Sequence, residues 1–197
     1  MKILIVLLIV LVLVGCKDKK QDEEKINPQV IITLSDERVI NLELYPEIAP
    51  ITVANFLKLV EDKYYDGVIF HRIIANFMIQ TGGYYIEDNE IKEKTKTQAI
   101  YGEFTSNGHV GNDLKHELGV ISMARTNIAN SATSQFFICS TNTPHLDGQY
   151  AAFGKAIDQE SLNVILDLSN APTVAISQAF TDFPYPVITV KSIRLKK

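Results

Sequence analysis

Arg72 stands a few residues ahead of Phe77, Met78 and Gln80 in the run Phe70-His-Arg-Ile-Ile-Ala-Asn-Phe-Met-Ile-Gln80. Its guanidinium is permanently charged and donates from a rigid planar fork. Phe77 and Met78 supply bulky apolar surface, and the Gln80 amide both donates and accepts. Together they suit a pocket that grips an apolar ring while a fixed cation points at an amide. Taken singly, these residues would have ordinary roles, Arg72 as a surface ion-pair partner and the apolar residues as core. A second block, Met123-Ala-Arg-Thr126 with Ser134-Gln-Phe-Phe-Ile138, carries further residues of the same types.

The elements that must position these groups are mostly short β-rich runs: Val30–Leu34, Val39–Leu44, Val68–Ile74, Phe77–Gln80, Val120–Met123, Gln135–Cys139, Ala151–Ala156 and Val187–Leu195. Several are continuous apolar runs, as expected of strands covered on both faces, whereas the last alternates. Two helices interrupt them. Pro50 suits a first helical position, and Val53, Phe56, Leu57 and Val60 follow as one apolar stripe. Asp158 is a candidate N-cap for a second helix through Leu162, Ile165 and Leu168, ending before Pro172. Such short strands separated by turn signals indicate a sandwich or a barrel, and periodicity alone does not separate the two. Tyr84–Gly119 carries little pattern apart from Ile100-Tyr-Gly-Glu-Phe104 and reads as a long surface excursion.

The N-terminal end has a different character. Met1-Lys2, an apolar run from Ile3 to Val14 and Gly15-Cys16 describe a secretory signal over residues 1–15, and the run falls short of the roughly 20 residues of a spanning helix. Leu13-Val-Gly-Cys16 resembles the bacterial lipobox, whose Cys becomes a lipidated N-terminus. Lipidation at Cys16 would therefore anchor the protein to the extracytoplasmic side of a membrane at the cell envelope. Residues 16–28 are charged and poor in apolar side chains, a flexible tether of some 40 Å at about 3.5 Å per residue. Residues 29–197 have the size of one domain. The chain has two cysteines; with Cys16 lipidated, Cys139 has no intramolecular partner and reads as a small core residue. The net charge of −4 and the lack of a basic stripe argue against nucleic acid. His109 and His116 match no metal-ligand spacing; no metal and no cofactor are expected.

From about Val30 to Leu195 the chain resembles the cyclophilins. The likeness rests on both blocks above, on Leu44-Tyr-Pro-Glu-Ile-Ala-Pro50, on Tyr65-Asp-Gly67, and on Leu146-Asp-Gly148 with Phe153-Gly-Lys155. It implies a mainly β fold, a closed eight-stranded antiparallel β-barrel capped by two α-helices, and an expected monomer. It also implies a peptidyl-prolyl cis-trans isomerase that acts on proline-containing unfolded or extended polypeptides and so assists the folding of exported proteins. In that reading Arg72, Gln80, Phe77 and His71 form the catalytic group. His71 has a packing and hydrogen-bonding role, because rotation about an amide transfers no net proton. Met78, Ala124, Arg125, Gln135, Phe137, His145, Leu146 and Tyr150 bind substrate, while Phe136 stays in the core.

The chain departs from the family pattern at four points. Ala75-Asn76 replaces the usual Pro-Gly turn, which Asn tolerates in a left-handed conformation. Thr81 stands where glycine is common, His145 where an aromatic is, and Tyr150 where His is frequent. None of these removes Arg72. A groove that merely holds proline-bearing segments is the competing expectation, and the intact Arg72 favours the enzyme.

Overall fold

The computed structural model describes residues 26–196. The expected signal segment, Cys16 and the tether up to residue 25 lie outside the described residues. In chain order the elements are β1 (Gln29–Leu34), β2 (Val39–Leu44), α1 (Pro50–Glu61), β3 (Arg72–Ile74), β4 (Met78–Thr81), β5 (Tyr84–Glu87), β6 (Glu90–Glu93), β7 (Val120–Met123), β8 (Phe136–Cys139), β9 (Ala152–Ala156), α2 (Gln159–Ser169), β10 (Thr173–Val174), β11 (Phe183–Pro184) and β12 (Val190–Leu195). Among the described residues, no helix is long and apolar enough to cross a membrane.

Eight of the strands form one curled antiparallel sheet in the order β12-β1-β2-β9-β7-β8-β4-β3, and β5–β6 and β10–β11 each form a two-stranded sheet. The sheet is mainly β architecture as expected, but it is not the closed barrel that the resemblance implied, because its end strands β12 and β3 form no ladder. The reason lies in β3, which is only three residues long and donates the Ile73 N–H to the Asp182 carbonyl at 2.9 Å. Irregular backbone crosses the gap instead. Gly67 donates to Val190, Val190 to Val68, and Phe70 to Ile188, at 2.8–2.9 Å.

Each helix is fixed by a carboxylate at its N-terminus, where the first N–H groups have no partner of their own. Asp158 caps α2, accepting from Ser161 N at 2.7 Å, and its other oxygen accepts from Asn41 Nδ2 on β2 at 2.9 Å. Ala49, ahead of α1, has no side chain able to cap. The buried Glu103 does that work from afar, accepting from Ile51 N at 3.0 Å and Thr52 N at 2.7 Å. The α1 stripe of Val53, Phe56 and Val60 then packs into the interior with Tyr65, Phe136 and Phe153.

Tyr84–Gly119 contains more structure than its sequence pattern suggested. It opens with the β5–β6 hairpin, whose turn residues Asp88 and Asn89 both have positive φ, the requirement of a tight two-residue hairpin turn. Its later part brings Glu103 to α1.

Candidate active site

Antiparallel pairing places Arg72 opposite Gln80, Gln80 opposite Phe137, and Phe137 opposite Ser122. Directly paired residues share a face of the sheet, so these groups form one row across β3, β4, β8 and β7. Two residues along, on the same face, Ile74 pairs with Met78 and Met78 with Cys139. The residues between them point inward, where Ile73, Ile79, Ile138 and Ile121 are mutually paired and buried.

The outward row opens onto a groove with about 410 Å³ of empty space, including its mouth. Arg72, Phe77, Met78, Gln80, Ala124, Arg125, Phe137, Leu146 and Tyr150 line it, all of them sequence-expected site residues. Met78, Phe137, Cys139 and Leu146 form a buried cluster separate from the interior core, with Phe77, Ala124 and Tyr150 packed against it. This cluster is an apolar cup. Tyr150 meets Phe137 edge-on at 5.7 Å between ring centroids, and the exposed His145 stacks on Phe77 at 5.5 Å. Asn76, between Ile74 and Phe77, has φ 55° and so takes the left-handed conformation expected of it.

Arg72 is 44% exposed, and its Nε lies 3.6 Å from Asp182 Oδ2. A half-exposed pair of that length holds weakly, leaving the rest of the fork facing the groove. Gln80 Nε2 donates to Gln135 Oε1 at 2.9 Å, which fixes the amide beside Arg72. Gln135 itself lies where a Cβ on Gly83 would come within 2.4 Å of its Nε2. A side chain at position 83 would therefore displace the Gln135 amide that holds Gln80.

His71 lies behind the groove rather than on its wall. It is buried, its ring contacts Tyr84 and Phe180 at 4.7 and 6.4 Å, and its Nδ1 has no hydrogen-bond partner among the described residues. Burial pushes its pKa down to about 4, so the ring is neutral at pH 7. Cys139 is the buried floor of the cup, with its thiol pushed up to about 11 by burial and 3.4 Å from the Thr143 hydroxyl.

Sequence reasoning set His116 aside as a metal ligand and found no other role for it. In the fold its Nδ1 is 3.1 Å from Asp147 Oδ1, its Nε2 is 3.1 Å from Ser122 Oγ, and its ring lies parallel to Phe137 at 6.1 Å. Burial lowers its pKa. Ser122 and His116 are both buried, so this trio, though it contains the side chains of a nucleophilic triad, underlies the cup without reaching the groove. Only the pairing of distant segments brings the three together. Glu103 was missed for the same reason.

The cyclophilin type peptidyl-prolyl cis-trans isomerase/CLD family model matches residues 29–195. The chain belongs to the cyclophilin family. It is accordingly a peptidyl-prolyl cis-trans isomerase. It is 40% identical over 167 residues to a peptidyl-prolyl cis-trans isomerase of Acinetobacter baylyi, covering 80% of this chain and 83% of that one. The isomerase of Synechococcus elongatus is 37% identical over 155 residues, covering 75% and 94%. A crystal structure of a Cryptosporidium parvum cyclophilin type isomerase, determined in the presence of the dipeptide Ala-Pro, superposes with a TM-score of 0.63 and 30% identity, covering 86% and 99%.

Proposed function

We propose that this cyclophilin binds an extended Xaa-Pro segment across the groove and speeds rotation of the bond before proline by donating from Arg72 to the proline nitrogen. Resonance sets a barrier of about 18–20 kcal/mol to that rotation. As the bond twists, the lone pair localises on nitrogen and becomes a better acceptor. A donor placed there favours the twisted state over both planar ones, which is differential binding of the transition state. The proline ring fills the cup of Phe77, Met78, Phe137 and Leu146. Gln80, held by Gln135, orients the amide, and the backbone of Ala124 and Arg125 pairs with the residue before proline. Tyr150 and His145 bound the groove. His71 acts by packing, since a buried neutral ring has no proton to exchange in a rotation that needs none.

The observation that carries this reading is the half-exposed Arg72 in one row with Gln80 and Phe137, beside the apolar cup. A protease-coupled assay on an Ala-Pro peptide tests it, using the full chain in a neutral detergent. The exchange rate should rise in proportion to protein. A rate left at the uncatalysed value of roughly 0.01–0.1 per second would refute it.

The mature isomerase is carried outside the cytoplasmic membrane on lipid at Cys16 and assists exported chains there. The apolar run Ile3–Val14, ending in Leu13-Val-Gly-Cys16, supports this. Intact mass of membrane-bound protein should show cleavage before Cys16 with added lipid, and an unmodified Cys16 in that fraction would contradict it.

A further inference from the structure

Arg72 is long and half exposed, so its place on β3 does not by itself aim the guanidinium. Several rotatable bonds separate that charge from the strand, and a free arginine side chain samples many rotamers. Gln80, paired opposite Arg72, donates its amide N–H to Gln135 at 2.9 Å. Among the described residues the only polar partner of the Arg72 side chain is Asp182, whose Oδ2 lies 3.6 Å from Nε. That separation exceeds a hydrogen bond and makes the contact an ion pair.

Asp182 is better fixed than the arginine it faces. Its carbonyl accepts from Ile73 N at 2.9 Å, one residue along β3 from Arg72. Its Oδ2 also accepts from the Thr181 hydroxyl at 2.9 Å. The next residue, Phe183, is buried, opens β11 and pairs with Val174 of β10. On the other side Phe180 packs edge-on against Tyr84 and Phe183, with ring centroids 5.1 and 6.0 Å away. The carboxylate thus approaches from a braced backbone, along the edge of the strand that carries Arg72. It meets the fork at Nε and leaves both terminal nitrogens without a protein partner among the described residues. Those nitrogens hold most of the donors of a guanidinium.

We propose that Asp182 is a positioning residue for the isomerase reaction: its carboxylate holds the Nε side of Arg72, so that the terminal N–H groups stand ready at the proline nitrogen before the bond twists. The inference rests on the reading that Arg72 is the donor to that nitrogen. The pair adds little to stability, since both partners are partly exposed. Its effect is on direction, because a donor already in place needs no reorganisation at the moment of reaction. The charge it meets develops only in the twisted state. Loss of the carboxylate should therefore lower kcat and hardly change KM.

Asp182→Asn tests this, because the amide removes the charge while keeping an oxygen for the Thr181 hydroxyl and the backbone bond to Ile73. With the full chain in neutral detergent and an Ala-Pro peptide, kcat should fall about two- to five-fold, the scale of a partly exposed ion pair, at a nearly constant KM. In the Arg72→Ala background the same substitution should have no further effect, measured with enough protein to keep the residual rate readable. A merely structural role would lower both backgrounds alike. The Arg72 Nε–Hε NMR signal, assigned by its absence from Arg72→Ala, should move in Asp182→Asn. An unchanged or higher kcat, an equal loss in both backgrounds, or an unmoved Nε–Hε signal would each overturn the proposal. The two readings fail separately. Near-full activity of Arg72→Ala would remove the donor role itself. Loss of activity in Arg72→Ala beside full activity in Asp182→Asn would remove only the positioning by Asp182.

Discussion

The two faces of β3, β4, β8 and β7 are made from alternate residues of the same strands, yet they do different work. Inward, Ile73, Ile79, Ile138 and Ile121 form a wholly buried row. Outward, Arg72, Gln80, Phe137 and Ser122 form a row that runs from an exposed cation to a buried hydroxyl. A slip of one residue would exchange the faces, so packing of the inner row specifies where Arg72 stands relative to the cup. The core holds the register, and the site inherits its geometry.

Neighbouring phenylalanines offer the sharpest way to break that comparison. Phe136 points inward against Phe56 and Tyr65, so Phe136→Ala should lower stability by about 3–5 kcal/mol, with a large fall in Tm by calorimetry. The protein that remains folded should keep most of its kcat/KM. Phe137→Ala, one residue on, should do the reverse. It should cost about 1–3 kcal/mol in stability, because the small groove cluster can relax, but it should reduce kcat/KM clearly in the coupled assay.

His71 gives the comparison a pH dependence. Its folded pKa of about 4 lies below its ordinary 6.5, so between these values the unfolded chain binds more protons and stability rises with pH. The associated stability is fully present above pH 6.5 and is lost as pH falls toward 4. That loss amounts to about 3–4 kcal/mol at about 1.4 kcal/mol per unit. Urea unfolding at pH 4.5 and 7.5 should show a steeper loss in the wild type than in His71→Gln, and equal slopes would contradict the assignment. The smallest effect is expected at Glu103, remote from the groove. Glu103→Gln places a donor against N–H groups of α1 and should cost about 1–3 kcal/mol without altering kcat/KM.

Most of the fold could be read in the chain because its signals are local. β1, β2, β7, β9, α1 and α2 fall within a residue or two of the expected runs, since each carries its own periodicity, Pro50 or Asp158. The open end of the sheet was not legible. It depends on Asp182 reaching the edge of β3, a contact between distant segments with no local pattern. The groove residues were recognisable because two short motifs hold most of them, with Leu146 and Tyr150 in a third. The support beneath them was not, since Asp147, His116 and Ser122 meet only in the folded sheet. The β5–β6 hairpin did leave a signal in Asp88-Asn89, but the weakly patterned sequence around it hid that turn.

The central claim is that the outward row catalyses through Arg72, and the direct measurement is kcat/KM for Arg72→Ala and Arg72→Lys alongside Tm. One preorganised donor at a developing charge is worth about 2.7–4 kcal/mol, so Arg72→Ala should lose about 10²–10³-fold. Its Tm should barely change, because the side chain is 44% exposed in an open groove. Arg72→Lys should recover little, because a point charge lacks the planar fork. Near-full activity of Arg72→Ala at an unchanged Tm would contradict the mechanism, even with the family assignment intact.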